Sequence, residues 1–381
     1  MYRTTNYGGG VIGGFALENK MLRYSIFVPK LYNLCKSLGF KPGKIMPSRA
    51  FCSDENQGFP IILLTKHFGT FPFNHGRVGG VVATDRHGPH AHHGSDVVIV
   101  QASHVGYDPD VKEFGSYVRL QTEDHEKTPT CGKICGVSSW YQEEYRVACR
   151  SIHLGMDSGR HTITIDNQLL YEGRTEGLML NLEKMLKSED GKYVPIHAYS
   201  TSKCFEANND FIARIDADAW SNDGRSKPIG DALAPDLFIF KREIEGAVEG
   251  QQHLEKNLQP LMPIVVTSKQ PALIAAMINS QVEFDRTYRT LTREKAYRGK
   301  RLFFVSGLHI DISPNPGQLF PLTKFVPWAA YYQDEQGNME VWEQEELFQR
   351  LSEQTDENPD QISLDEAISA MQALTEVRVA L

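Results

Sequence analysis

Cysteine and histidine, residue types that hold soft divalent cations, recur in order between residues 49 and 136. Cys52 stands in Ser48-Arg49-Ala50-Phe51-Cys52-Ser53-Asp54-Glu55. His104 ends the run Val97-Val98-Ile99-Val100-Gln101-Ala102-Ser103-His104, and Cys131-Gly132-Lys133-Ile134-Cys135-Gly136 closes the stretch. Thiolate and imidazole together suit zinc in four-coordinate tetrahedral geometry. Asp54, two residues after the first cysteine, adds a carboxylate that is both a hard ligand and a proton acceptor. Seven of the 13 histidines fall between His67 and His104, most of them in the tract 87–93. Such a tract reads either as a proton shuttle, since imidazole titrates near neutrality, or as a solvated surface loop.

Those residues need elements to hold them. Residues 24–38 place Ile26, Phe27, Leu31, Leu34, Cys35 and Leu38 on one helical stripe, with Gly39 as its stop. Residues 45–51 read as a strand that delivers Cys52 at its carboxyl end, where open α/β sheets place ligands. Residues 61–67 are an apolar run that fits helix or strand. Gly76-Arg77-Val78-Gly79-Gly80 is a tight glycine loop. The β-branched run 97–101 reads as a strand buried on both faces, which carries His104 at its end. Residues 137–152 read as a helix with Trp140, Tyr141, Tyr145, Ala148 and Cys149 on its apolar side.

Further along, 160–170 alternates like a strand and 178–186 like a short helix. Residues 236–240 and 263–267 read as buried strands, 271–291 as a helix opened by Pro271, and 301–312 as a strand. The last three of these make a βαβ unit. Residues 333–360 are acidic and read as a solvated face or linker. Ser363-Leu364-Asp365-Glu366 is a capping box that opens a final amphipathic helix. Alternating strands and helices with chemistry at strand ends predict an α/β fold around a largely parallel sheet. Two echoes raise the option of a worn second copy: 202–206 against 50–54, and 303–311 against 97–108. No cysteine follows His309, so a second site cannot be completed; chance similarity is the alternative.

The whole-chain quantities narrow the classes. The chain has 381 residues, 41% hydrophobic and 23% charged, which fits an ordinary globular protein of two or three domains. A net charge of -8 argues against a nucleic-acid binder. No apolar run approaches the ~20 residues of a membrane helix. The glycine-rich residues 1–20 lack a secretory h-region and read as a loose leader. Six cysteines in so long a chain are not a disulfide framework, so a reducing, cytoplasmic location is expected. Cys35 and Cys149 read as core residues, and Cys204 and His309 as structural.

Taken together, Gly39-Phe40-Lys41-Pro42, Cys52-Ser53-Asp54-Glu55, the glycine loop, the histidine tract before His104, and Cys135-Gly136 with Tyr141-Gln142-Glu143-Glu144 resemble the limiting-CO2-inducible protein B/C family. The resemblance covers roughly residues 20–152. Members of that family are theta-class carbonic anhydrases, which are lyases, with a beta-carbonic-anhydrase-like fold. The resemblance implies a zinc domain over 21–155; the elements read beyond it make a second α/β region over 156–332 and an acidic linker with a helix over 333–381. It implies zinc held by Cys52, His104 and Cys135, with Cys131 the competing third ligand. It implies reversible hydration of CO2 to bicarbonate, because zinc lowers the pKa of its water from ~15.7 toward ~7 and so supplies hydroxide. Asp54 would orient that water or occupy the fourth position in a resting form. Arg77 is the favoured arginine partner of Asp54, with Arg49 and Arg86 as alternatives. The family usually has lysine where Arg77 stands. A homodimer with sites near the interface is also implied. A catalytically inactive relative and another zinc hydrolase are the rival readings.

Overall fold

The computed structural model describes residues 15–83, 96–118, 126–220, 226–244, 251–315, 317–318 and 321–374. The histidine tract 87–93, Arg86 and most of the expected leader lie outside them. The chain divides into two units: Met1–Gly132 with Ala276–Leu381, and Lys133–Ala275. The first runs through β1 (Leu22–Arg23), α1 (Tyr24–Ser37), β2 (Ile45–Ala50), α2 (Gly58–Phe68) and β3 (Phe73–Asn74). It continues with β4 (Asp96–Asp108), β5 (Glu113–Phe114), β6 (Ser116–Val118) and β7 (Lys127–Pro129). The second contains most of α3 (Gly132–Ser151), then β8 (Ile152–Asp157), β9 (Arg160–Asp166), β10 (Gly177–Leu180), β11 (His197–Ala198) and β12 (Ser202–Glu206). There follow α4 (Asn209–Arg214), β13 (Lys227–Pro228), β14 (Phe238–Lys241), α5 (Gln251–Leu258) and α6 (Met262–Val266). Most of α7 (Pro271–Leu291) belongs to the first unit, as do β15 (Leu302–Ile312), β16 (Leu322–Gln333), β17 (Met339–Trp342), α8 (Gln344–Ser352) and α9 (Leu364–Gln372).

The first unit is built on one sheet in the order β1-β16-β15-β4-β2-β3, with β17 beside β16 and β5 beside β4. β3, β2, β4 and β15 run parallel; the other strands join antiparallel. The apolar run of β4 explains its central place, because a strand without a polar face must be covered on both sides. Alternation along the strands assigns the layers. Val98, Val100 and Ala102 of β4 and Phe303 and Val305 of β15 join the cluster of Phe27, Leu31, Leu64 and Leu347 from α1, α2 and α8. On the opposite face Phe304 stacks on Phe284 of α7 at 5.1 Å, and Ser280 Oγ donates to Gly307 O at 2.7 Å. Leu302 pairs with Val97 and His309 with His104, so the two histidines stand side by side on the α1/α2 face. The architecture is thus the expected mixed α/β fold, with a central, mostly parallel sheet flanked by helices.

The second unit holds a five-stranded sheet in the order β11-β12-β9-β8-β13, antiparallel throughout, and the separate antiparallel pair β10-β14. β12, the supposed echo of the Cys52 segment, lies in this antiparallel sheet, so it occupies no place equivalent to β2 and that echo is not realised.

Several expectations need correction. The units do not follow a boundary at 155, since β15 pairs with β4 across some 200 residues, a partnership that local periodicity does not encode. Residues 178–186 open with strand β10 rather than a helix, and 263–267 lie in or directly after α6 rather than in a strand, with proline in the first turn. The expected βαβ unit therefore dissolves. A five-residue apolar run carries no period that separates the two states. The acidic stretch 333–360 is no linker: Trp342 of β17 and Leu347 and Leu351 of α8 are buried. The final helix is capped as expected, with Ser363 Oγ accepting from Glu366 N. No helix among the described residues is long and apolar enough to cross a membrane.

Candidate metal centre

Three chain segments meet at the carboxyl ends of the parallel strands, all within the first unit. β2 ends at Ala50, and the buried Phe51 ring anchors the exit so that Cys52 turns inward. Asp54 then starts a short turn, Glu55–Gln57, by accepting from Asn56 N at 3.2 Å and Asn56 Nδ2 at 2.8 Å. That turn points the Gln57 side chain into the protein, where it is 1% exposed. β4 brings His104 to the same place. β7 leads to Cys131, the residue before the first turn of α3. A helix N-terminus favours negative charge, so this is a suitable position for a thiolate.

Glycine makes the approach of these segments feasible. A Cβ on Gly106 of β4 would lie 3.0 Å from Thr130 Oγ1, and Gly106 N donates to Thr130 O at 3.3 Å. The bare backbone thus lets the Cys131 segment lie against β4. A Cβ on Gly80, which has φ +80°, would lie 2.1 Å from Ala102 O. The glycine loop 76–80 is therefore laid directly on β4, and Gly79 N donates to Cys52 Sγ at 3.1 Å.

The sulfurs of Cys52 and Cys131 are 3.7 Å apart, and a ligand atom of His104 joins them with all three within 4.8 Å. All three residues are buried. His104 Nδ1 is 2.9 Å from Asp311 Oδ2, while His104 Nε2 has no hydrogen-bond partner among the described residues. Asp311 is itself fully buried; it accepts from Thr323 Oγ1 at 2.9 Å and Gln57 Nε2 at 3.1 Å. Backing the ring with a carboxylate places the proton on Nδ1 and directs the Nε2 lone pair outward, the usual arrangement behind a metal-binding histidine.

Without a cation this cluster retains protons. The hydrogen bond shared with Cys131, followed by burial, pushes the Cys52 thiol well above its ordinary pKa. For His104, burial opposes the charge, but the hydrogen bond to Asp311 and the charges of Asp311 and Cys52 outweigh it and raise the pKa to about 10. A divalent cation would take the place of those protons, since ligands bind metal deprotonated. Two sulfurs, one imidazole and an otherwise orphaned Nε2 fit zinc in donor type and burial.

The place expected for Cys135 beside Cys52 and His104 is taken by Cys131. Cys135 lies one turn inside α3, half-buried, and takes no part in the cluster. Asp54 is half-buried with Oδ1 turned to Asn56. No hydrogen bond or ion pair joins Arg77 to Asp54 among the described residues; Arg77 is half-buried at the entrance of the glycine loop, and Arg49 lies in β2. Cys35 is core, as expected. Sequence reasoning assigned no role to Asp311 or Gln57. Their signal was faint: His309 and Asp311 are the pair of ionisable residues, spaced i and i+2, in an otherwise apolar strand.

No family model and no curated protein matches the sequence. Solved structures do. The chain is similar to PtLCIB4, a homolog of the limiting CO2-inducible protein LCIB, at 12% identity over 84% of this chain and 94% of that one, with a TM-score of 0.49. It is similar to LCIB itself at 14% identity over 86% and 95%, with a TM-score of 0.43.

Proposed function

We propose that this protein is a zinc-dependent carbonic anhydrase, with the metal held by Cys52, His104 and Cys131. The observation that carries the reading is the buried sulfur–imidazole–sulfur set with a carboxylate fixed behind the imidazole. Three protein donors leave a tetrahedral cation one ligand short, which is the pattern of catalytic rather than structural zinc. Bound zinc would supply Lewis-acid activation of water near neutral pH. The chain's own residues then have defined tasks. Cys52 and Cys131 bind as thiolates, the first steadied by the Gly79 N–H. Asp311 keeps the His104 ring oriented. Asp54, two residues beyond Cys52, is assigned as the proton acceptor that orients water. CO2 as substrate follows from the sequence resemblance.

Stopped-flow CO2 hydration on zinc-loaded, reduced protein tests this. A rate above buffer that disappears with Cys131→Ser is expected; zinc-loaded protein without a rate overturns it. One observation favours a second reading, a zinc-binding relative without turnover: Asp54 Oδ1 is engaged in capping its own turn. The same measurement separates the two. A homodimer is proposed as well, to be checked by light scattering.

A further inference from the structure

We propose that Gln57 is a positioning residue that fixes the tautomer of His104 through Asp311 and thereby sets metal affinity; this rests on the metal reading above. Gln57 lies between the two strand histidines. Its Nε2 is 3.1 Å from Asp311 Oδ2 and 3.4 Å from His104 Nδ1, and its Oε1 meets His309 Nδ1. The amide has only one workable orientation. Turned by 180°, its oxygen would face the Asp311 carboxylate, acceptor against acceptor, in a site with no solvent to relieve it.

With Nε2 facing Asp311, two consequences follow. Oε1 requires a donor, so His309 carries its proton on Nδ1. Gln57 Nε2 offers only hydrogens and cannot accept from His104, so the His104 Nδ1–H donates to Asp311 Oδ2 at 2.9 Å. His104 Nε2 then keeps its lone pair for the cluster. The chain His309–Gln57–Asp311–His104 is buried throughout. Its far end is wedged against Tyr24 and Phe51, whose ring centroids lie 5.1 and 4.7 Å from that of His309. Gln57 is also five residues beyond Cys52, so one short segment carries both a proposed ligand and the residue that orients another.

The test compares wild type with Gln57→Met, which keeps the length and loses both polar ends, and with Gln57→Glu, which accepts from His309 but does not donate to Asp311 when ionised. Zinc affinity is measured by competition with a chromophoric chelator, and the His104 Nδ1–H by ¹⁵N-resolved hydrogen exchange in the zinc-loaded protein. Each variant is expected to bind zinc about 10-fold more weakly, the lower end of what residues behind a ligand contribute. The His104 Nδ1–H should exchange about 10-fold faster as its hydrogen bond to Asp311 loosens. Wild-type affinity and Nδ1–H exchange in whichever variant folds would overturn the assignment. A wild type that binds no zinc would overturn the metal reading and this assignment with it.

Discussion

β4 and β15 run side by side and carry histidines at matching positions, yet their surroundings differ in kind. His104 looks onto two sulfurs, a glycine loop and the start of a helix. His309 looks onto the rings of Tyr24, Phe51 and Phe325, and its Nε2 also lacks a hydrogen-bond partner among the described residues. Burial, followed by the nearby charge on His104, pushes the His309 pKa well below its ordinary value. A histidine near the end of a parallel strand is therefore not a site in itself. The loops that converge on it decide, and Cys52 and Cys131 reach only one of the pair.

The strongest test of this contrast removes a sulfur. Cys131→Ser should reduce zinc from about one per chain to near none after dialysis, since a three-ligand site loses one of its thiolates. Cys135→Ser should leave zinc content unchanged, and metal analysis reads both. If Cys135→Ser lost the metal instead, the ligand set drawn around His104 would be wrong.

Asp54→Ala addresses chemistry on the His104 side alone. Zinc should remain while hydration falls by ~10²–10⁴, the worth of one positioned acid–base group. Unchanged turnover with unchanged zinc would remove Asp54 from the mechanism.

Paired glycine substitutions sharpen the contrast further. Gly80→Ala introduces a Cβ 2.1 Å from Ala102 O at a positive φ and should cost about 3 kcal/mol. Gly307→Ala, beside His309, meets Val326 O at 2.4 Å and should cost about 2 kcal/mol. Only the first should weaken zinc binding as well, because the Gly79 N–H holds Cys52. Denaturant melts with parallel zinc titrations would show it, and equal effects on zinc would contradict the distinction.

The smallest effect concerns another buried imidazole of the first unit. Burial, then Arg49, lower the His75 pKa to about 4, whereas His104 without metal holds its proton to about 10. A depressed folded-state pKa means that the unfolded chain protonates first as pH falls. His75 therefore costs no stability above pH ~6.5, and the loss accumulates down to about 4. The slope is up to ~1.4 kcal/mol per pH unit, and His75→Asn should flatten it in urea melts between pH 7.5 and 4.5. An unchanged slope would show that other groups set the acid limit.

Much of the first unit was legible because its signals are local. The stripe Phe27-Leu31-Leu34 before Gly39, the unbroken apolar run of β4, and the Ser363 capping box each carry their geometry within a few residues. The acidic residues of α8 hid its two buried leucines, and the short runs of β10 and α6 contained too few residues to show a period. Cys52 and His104 stood out because cysteine and histidine at strand ends are rare and chemically specific.

By itself, then, the sequence determined the residue types of a candidate metal site, two of the three residues that meet there and the parallel α/β class, since each depends on composition and short-range pattern. Only the tertiary structure decided the rest. Cys131 and Cys135 each precede a glycine and differ by one helical turn, so nothing local separates them. The choice rests on Gly106 letting the Thr130 backbone lie against β4. Asp311 reaches His104 across 207 residues because β15 pairs with β4 in one register. Such contacts follow from strand partnership, and strand partnership is settled when the whole sheet assembles.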